Sequence, residues 1–254
     1  MFEDMVDIHS HALWGMDDGA RYFEETMDLC FMAEESGTKT LFLTPHLIYW
    51  NQAETLYDVR EEKIEELAGM LEVNGADIEV KKGFEILCDD DIFNVKYFKP
   101  YTLNESRYIL IEFDFFKSNE NDVTSWCNYL SSFGLVPIIA HPERYRFVLD
   151  DAACIERLSQ NGVLFQINAG SPAGMFGRRE AEISCGMLNS GYVDFIGSDA
   201  HDLFSRNTDI YDCMEMYPEY IDEVLLKKAA VFNPKVILND EPYSPERFDY
   251  ISNI

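Results

Sequence analysis

Short apolar runs alternate with amphipathic stretches along most of the chain. Thr40-Leu41-Phe42-Leu43-Thr44, Tyr108-Ile109-Leu110-Ile111, Leu135-Val136-Pro137-Ile138-Ile139-Ala140, Leu164-Phe165-Gln166-Ile167 and Val193-Asp194-Phe195-Ile196-Gly197-Ser198 read as strands covered on both faces. Asp77 to Glu85 reads as a further strand, with Ile78 and Val80 apolar and Glu85 at its exit. Between the strands, 24–36 places Met27, Cys30 and Phe31 on one helical face before Gly37, and 53–73 repeats Ile64, Leu67 and Leu71 among charges. Helices are also predicted over 121–133, 150–161, 180–190 and 220–232. This alternation predicts a parallel sheet with helices outside it, open or closed into a barrel, and a site at the carboxyl ends of the strands.

The opening stretch Met5-Val6-Asp7-Ile8-His9-Ser10-His11 carries two histidines. With Val6 and Ile8 buried, strand alternation sends Asp7, His9 and His11 out by the other face, the two imidazoles about 7 Å apart. Taken alone, a His-x-His is as well explained by an ordinary half-buried strand. The chain's five histidines, however, are His9, His11, His46, His141 and His201, and every one follows a predicted strand end. Glu85, Glu112 and Asp199 do so too, and Asp17-Asp18 lies in the turn-rich loop just after His11. That many ligands exceed the three typical of a single catalytic zinc, so a cluster of two or three metal ions is the inference. Nitrogen and oxygen donors without thiolate suit manganese, iron or zinc.

Such clusters suit phosphate ester hydrolysis, because the ions acidify water and clamp the attacking and leaving oxygens. Arg144, three residues past His141, and Arg206, five past His201, are placed to hold phosphate oxygens. Each arginine alone is equally consistent with a surface salt bridge.

Composition narrows the partners. Of 254 residues, 47 are acidic and 20 basic, a formal charge of -27 that repels nucleic acid and anionic lipid. The 47% hydrophobic content supports a sizeable core and argues against disorder. No linker composition divides the chain, so 1–254 reads as one domain. The six cysteines are widely spaced, with no Cys-x-x-Cys pair and no Cys-x5-Arg phosphate loop, which sets aside thiol-based phosphatase chemistry. No leader-like or membrane-spanning run is evident, so a cytoplasmic protein is expected.

Asp7-Ile8-His9-Ser10-His11, Asp17-Asp18-Gly19, Thr44-Pro45-His46, Glu85, Leu110-Ile111-Glu112-Phe113, Ala140-His141-Pro142-Glu143-Arg144-Tyr145 and Gly197-Ser198-Asp199-Ala200-His201 together resemble the PHP (polymerase and histidinol phosphatase) superfamily, from about Met5 to Leu238. Within it the chain is most similar to the bacterial manganese-dependent protein-tyrosine phosphatases of capsule and exopolysaccharide operons. The resemblance implies an α/β fold, a distorted (β/α)7 TIM-like barrel of the PHP type, with three divalent metal ions, manganese first, iron or zinc otherwise. Position by position it implies the ligands His9, His11, Asp18, His46, Glu85, Glu112, His141, Asp199 and His201, and the phosphate-binding residues Arg144 and Arg206. The implied substrate is a phosphotyrosine protein, namely a bacterial tyrosine kinase with a tyrosine-rich tail.

The chain departs from that pattern at Leu47, Asp202 and Asn207, where relatives often carry histidine, asparagine and proline; no expected ligand is lost. Tyr49, Trp50, Phe115 and Phe116 are candidates to flank a phenyl ring, or ordinary packing at the barrel rim. A small-molecule phosphatase, such as one for histidinol phosphate, shares the ligand set, and a regulatory binding module with a vestigial metal site is the alternative of another class. The short chain and its charge disfavour a polymerase module.

Overall fold

A strand that is apolar at every position can bury both faces only between two packed layers. In the computed structural model, which describes residues 2–248, the apolar runs lie between such layers. The strands are β1 (Met5–Asp7), β2 (Thr38–Leu43), β3 (His46–Leu47), β4 (Glu79–Lys82), β5 (Glu85–Leu87), β6 (Tyr108–Glu112), β7 (Val136–Ala140), β8 (Leu164–Asn168) and β9 (Phe195–Gly197). All their pairings are parallel.

Two strands are interrupted. Pro45, which has no N–H to give a ladder, parts β2 from β3, and Gly83-Phe84 parts β4 from β5. Backbone bonding nonetheless continues across both gaps, from Gly83 N–H to Leu43 O (3.1 Å) and from Glu85 N–H to Thr44 O (3.3 Å). Taking each interrupted pair as one leaves seven parallel strands in chain order. A bridge between Ser10 and Ala200 joins the first to the last, with Asp199 N–H on His9 O and His11 N–H on Ala200 O, both 2.8 Å. The fold is the distorted seven-stranded α/β barrel expected from the motifs.

Alternation along β6 shows how the barrel is filled. Tyr108 and Leu110 pack inside with Val6, Ile8, Phe42, Ile138, Leu164 and Phe195. Ile109 and Ile111 face outward with Ile139, Phe165 and Ile167, under the helices Glu120–Ser131, Cys154–Gln160 and Arg178–Asn189. At the amino-terminal ends of the strands the later chain closes over the plug. Tyr108 Oη donates to Glu241 O (2.5 Å), and Arg247 pairs with the buried Asp194 (2.8 Å). At the other end, the next inward positions along β6 and β8 are polar, Glu112 and then Gln166 and Asn168, so an apolar plug is capped by acceptors and donors.

The helices at Phe23–Glu35 and Ala53–Val73 match the amphipathic pattern. Three boundaries differ by more than two residues. The helix expected from 150 begins at Cys154, because Asp151 turns the chain and accepts Ala153 N–H at 3.2 Å. The helix expected over 220–232 is α only from Glu223 to Lys227 and widens to a π turn over Lys228–Phe232. The opening strand ends at Asp7, whose carboxylate takes His9 N–H (3.1 Å) and Ser198 N–H (3.0 Å). Asp7 is therefore a buried backbone clasp and does not leave by a common face with His9 and His11.

Leu110 sits fully buried in the interior plug. Leu110→Ala should destabilise the protein by about 2–5 kcal/mol, read as a lower urea midpoint at unchanged slope; a loss well under that would mean the interior is not close-packed.

Candidate metal centre

The carboxyl ends of the strands converge on one cluster. His9 and His11 follow β1, His46 and Glu85 open β3 and β5, Glu112 closes β6, His141 follows β7, and Asp199 and His201 follow β9. Asp18 reaches in from the loop after His11. Their nitrogen and oxygen atoms form four overlapping groups, each with its atoms within 4.8 Å of one another: His11, Asp18, His46 and His201; His9, His11 and Asp199; His9, Glu85 and His141; His46, Glu85 and Glu112. The structure thus brings together all nine residues read from the motifs.

Local backbone makes this possible. Alternation along β7 would direct His141 outward beside Ile139, but His141 has φ 35°, and this left-handed turn brings its Nε2 to 2.9 Å from Glu85. Asp199 likewise has φ 53°. Such conformations cost on the order of 1–3 kcal/mol each and persist where surrounding contacts over-determine them. Gly197 meets a spatial demand instead: a Cβ there would lie 2.7 Å from His9 Cβ.

Hydrogen bonds fix which ring nitrogen faces the centre. Asp199 Oδ2 can only accept, so Asn168 presents its amide nitrogen to it (2.5 Å). Asn168 Oδ1 then accepts from Gln166 Nε2 (3.1 Å), which turns Gln166 Oε1 toward His9 Nδ1 (2.8 Å). His9 Nδ1 must donate, leaving the lone pair on Nε2. In the same way Asp17 holds His11 Nδ1 (2.7 Å), and the Asp199 carbonyl holds His201 Nδ1 (2.9 Å). Two imidazole lone pairs, His9 Nε2 and His11 Nε2, are consequently left 3.2 Å apart, each also within 3.2 Å of Glu85 Oε2. Glu85 Oε2 and His46 Nδ1 are buried without a hydrogen-bond partner although they lie 3.1 Å apart. Donor atoms that crowd together without bonding one another are what a cation between them would require, so these residues fit divalent metal.

Charge in the cluster points the same way. Burial opposes protonation of His11 and His46, but carboxylates outweigh it: Asp17 and Glu85 raise the His11 pKa, and Glu112 and Glu85 lift His46 to about 9. Asp17 itself, despite burial, is held at about 2 by His11 and by the N–H groups of His46 and Gly19. Without metal the excess negative charge is met by protons; with metal, cations would take their place. Beside the cluster stand two guanidiniums. Asp199 Oδ1 faces His9, His11 and His201 at 3.5–3.6 Å, while its Oδ2 receives Arg206 Nη2 (2.5 Å) and Arg144 Nη1 (3.3 Å).

The comparisons with known proteins agree with this geometry. A family model described as "Capsular polysaccharide synthesis, CpsB/CapC" matches residues 5–239. The chain belongs to the CpsB/CapC family. It is 33% identical over 207 residues to the putative tyrosine-protein phosphatase CapC of Staphylococcus aureus, covering 80% of this chain and 79% of that one. It is 30% identical over 211 residues to the tyrosine-protein phosphatase YwqE of Bacillus subtilis, covering 80% of each. Among solved structures, one from the work on YwqE of Bacillus subtilis and CpsB of Streptococcus pneumoniae, described as unique metal-dependent tyrosine phosphatases, superposes with a TM-score of 0.83 at 27% identity, covering 97% of this chain and 99% of that one.

In this CpsB/CapC chain the two unassigned acids have distinct places. Asp17 orients His11, and Asp202 is spent on its own turn, accepting Phe204 N–H and Ser205 N–H (both 2.7 Å). Of the candidate ring-flanking aromatics, Phe115 lies under Arg144, Trp50 packs on Phe98 and Tyr101, and Tyr49 and Phe116 are exposed. Sequence reasoning missed Gln166 and Asn168. Both carried a signal: polar residues two apart on an otherwise apolar strand must share a face.

Gln166→Leu removes the acceptor that fixes His9 and should lower metal affinity about 10–100-fold. Metal content after dialysis against a graded chelator measures it; unchanged retention would show that Gln166 does not act through His9.

Proposed function

We propose that this chain is a metal-dependent phosphomonoester hydrolase acting on phosphotyrosine in protein, in the service of capsular or exopolysaccharide synthesis. The observation that carries this is the pair of guanidiniums converging on Asp199 Oδ2, on the opposite side of that carboxylate from the imidazole cluster. Family membership and the named activities of CapC and YwqE support it.

In this reading His9, His11, Asp18, His46, Glu85, Glu112, His141, Asp199 and His201 hold up to three divalent ions, manganese first and iron or zinc otherwise. Such ions supply Lewis acidity, acidifying water and offsetting phosphate charge. The chain's own residues do the rest. Arg144 and Arg206 leave Asp199 for the phosphate, which carries more charge and offers each guanidinium its own oxygens to pair with. Asp17, Gln166 and the Asp199 carbonyl keep three imidazole lone pairs aimed at the centre. The phenolate of tyrosine, with pKa about 10, is a tolerable leaving group.

The proposed protein substrate is the tyrosine-rich tail of a bacterial kinase that controls polysaccharide export. Kinase phosphotyrosines form where ATP is, so the enzyme would work in the cytoplasm. No helix among the described residues is long and apolar enough to cross a membrane.

Chelator-stripped protein given manganese should release phosphate from a phosphotyrosine peptide in preference to histidinol phosphate. Preference for histidinol phosphate would move the enzyme to small-molecule metabolism, and peptide binding without release would make it a regulatory module. Arg144→Ala should keep its metal and lose on the order of 10²–10³ in turnover, the effect of removing one transition-state donor. Unchanged kinetics would remove Arg144 from the mechanism.

A further inference from the structure

Between β8 and the helix Arg178–Asn189 the chain makes a short loop at the barrel mouth. It carries Phe176, half-buried, between Gly174 (φ 86°) and Gly177 (φ 135°). The Phe176 ring lies over both arginines, with its centroid 4.7 Å from the Arg144 guanidinium carbon and 6.0 Å from that of Arg206. Arg144 meets a second ring, Phe115, also at 4.7 Å, so its guanidinium has two aromatic contacts.

The loop is tied to the same segment that supplies Arg144. Glu143, fully buried, accepts Asn168 N–H (3.0 Å) and Ser171 Oγ–H (2.5 Å) at the loop's start. The loop then closes on itself through Met175 N–H to Gly170 O (3.0 Å) and Gly174 N–H to Ser171 O (3.0 Å). Glu143 thus anchors the loop while its neighbour Arg144 lies beneath the ring that the loop presents.

A guanidinium has a long, flexible stem, and two that must be released from Asp199 to meet phosphate would otherwise lose orientation as they let go. An aromatic face attracts the cation without consuming its N–H donors. We propose that Phe176 is a positioning residue that holds Arg144 and Arg206 together for the phosphate group, a role that rests on the phosphatase reading above. Because it acts through the arginines, it governs binding of phosphate itself and is indifferent to the alcohol from which the phosphate comes.

The test is calorimetric titration of manganese-loaded protein with inorganic phosphate, beside steady-state kinetics on p-nitrophenyl phosphate and on an alkyl phosphomonoester. Phe176→Ala should weaken phosphate on the order of tenfold, raise KM for both esters by the same factor and leave metal content unchanged. Phe176→Tyr, which keeps the aromatic face, should bind phosphate close to the wild-type value, and Phe176→Leu, which keeps bulk alone, should not; this pair decides the matter even if the alanine variant fails to fold. Unchanged phosphate affinity in Phe176→Ala, equal rescue by leucine, or a loss confined to the aryl ester would each overturn the proposal, the last by making Phe176 a contact to the substrate ring. Wild-type protein that neither binds phosphate nor releases it would instead remove the phosphatase reading on which the proposal stands.

Discussion

Buried charge at the top of an apolar plug is the constraint that organises this molecule. Five imidazoles and four carboxylates, most of them buried, meet in overlapping groups whose ligand atoms lie within 4.8 Å of one another, and the second nitrogens of His9, His11 and His201 are committed to outer partners. Lone pairs and carboxylate oxygens then face one another in low dielectric, where unopposed like charge costs far more than in water. Positive charge is required at the centre, and the arrangement of donors suits metal better than protons.

Asp199 joins this centre to the two arginines beside it. One of its oxygens faces three imidazoles and the other receives two guanidiniums and the Asn168 amide. Through Asn168 and Gln166 the same carboxylate reaches His9, so the orientation of a first-strand histidine depends on a residue after the last strand. Closure of the barrel at the bridge between Ser10 and Ala200 is what brings those two ends of the chain together. Fold and site are here one set of contacts.

The overall charge of -27 repels anions at long range, and positive charge is gathered locally at the barrel mouth. Arg144 and Arg206 gather beside the cluster, framed by Phe115 and Phe176, while Asp202, a neighbour of His201, is turned into its own loop. Net charge governs the approach of macromolecules. Charges within a few ångströms of a site govern what it holds.

Much was legible in the sequence alone. The alternation of doubly apolar strands with amphipathic helices set the α/β class, because period and burial are local properties of the residues. Histidines and carboxylates at the strand ends marked the site, since parallel strands in a closed sheet deliver their carboxyl ends to one rim. Tertiary structure decided what pairwise closeness decides. The same residue type took different roles: Asp7, at the end of the first strand, became a backbone clasp and Asp17, in the loop after it, a histidine's partner, according to which groups the folded chain brought near. His141 and Asp199 turn inward through left-handed backbone that no alternation rule foresees, and Phe176 found its arginines from a loop that pattern treats as filler. Spacing along a strand is written in the sequence; proximity between side chains from different loops exists only once the barrel has closed.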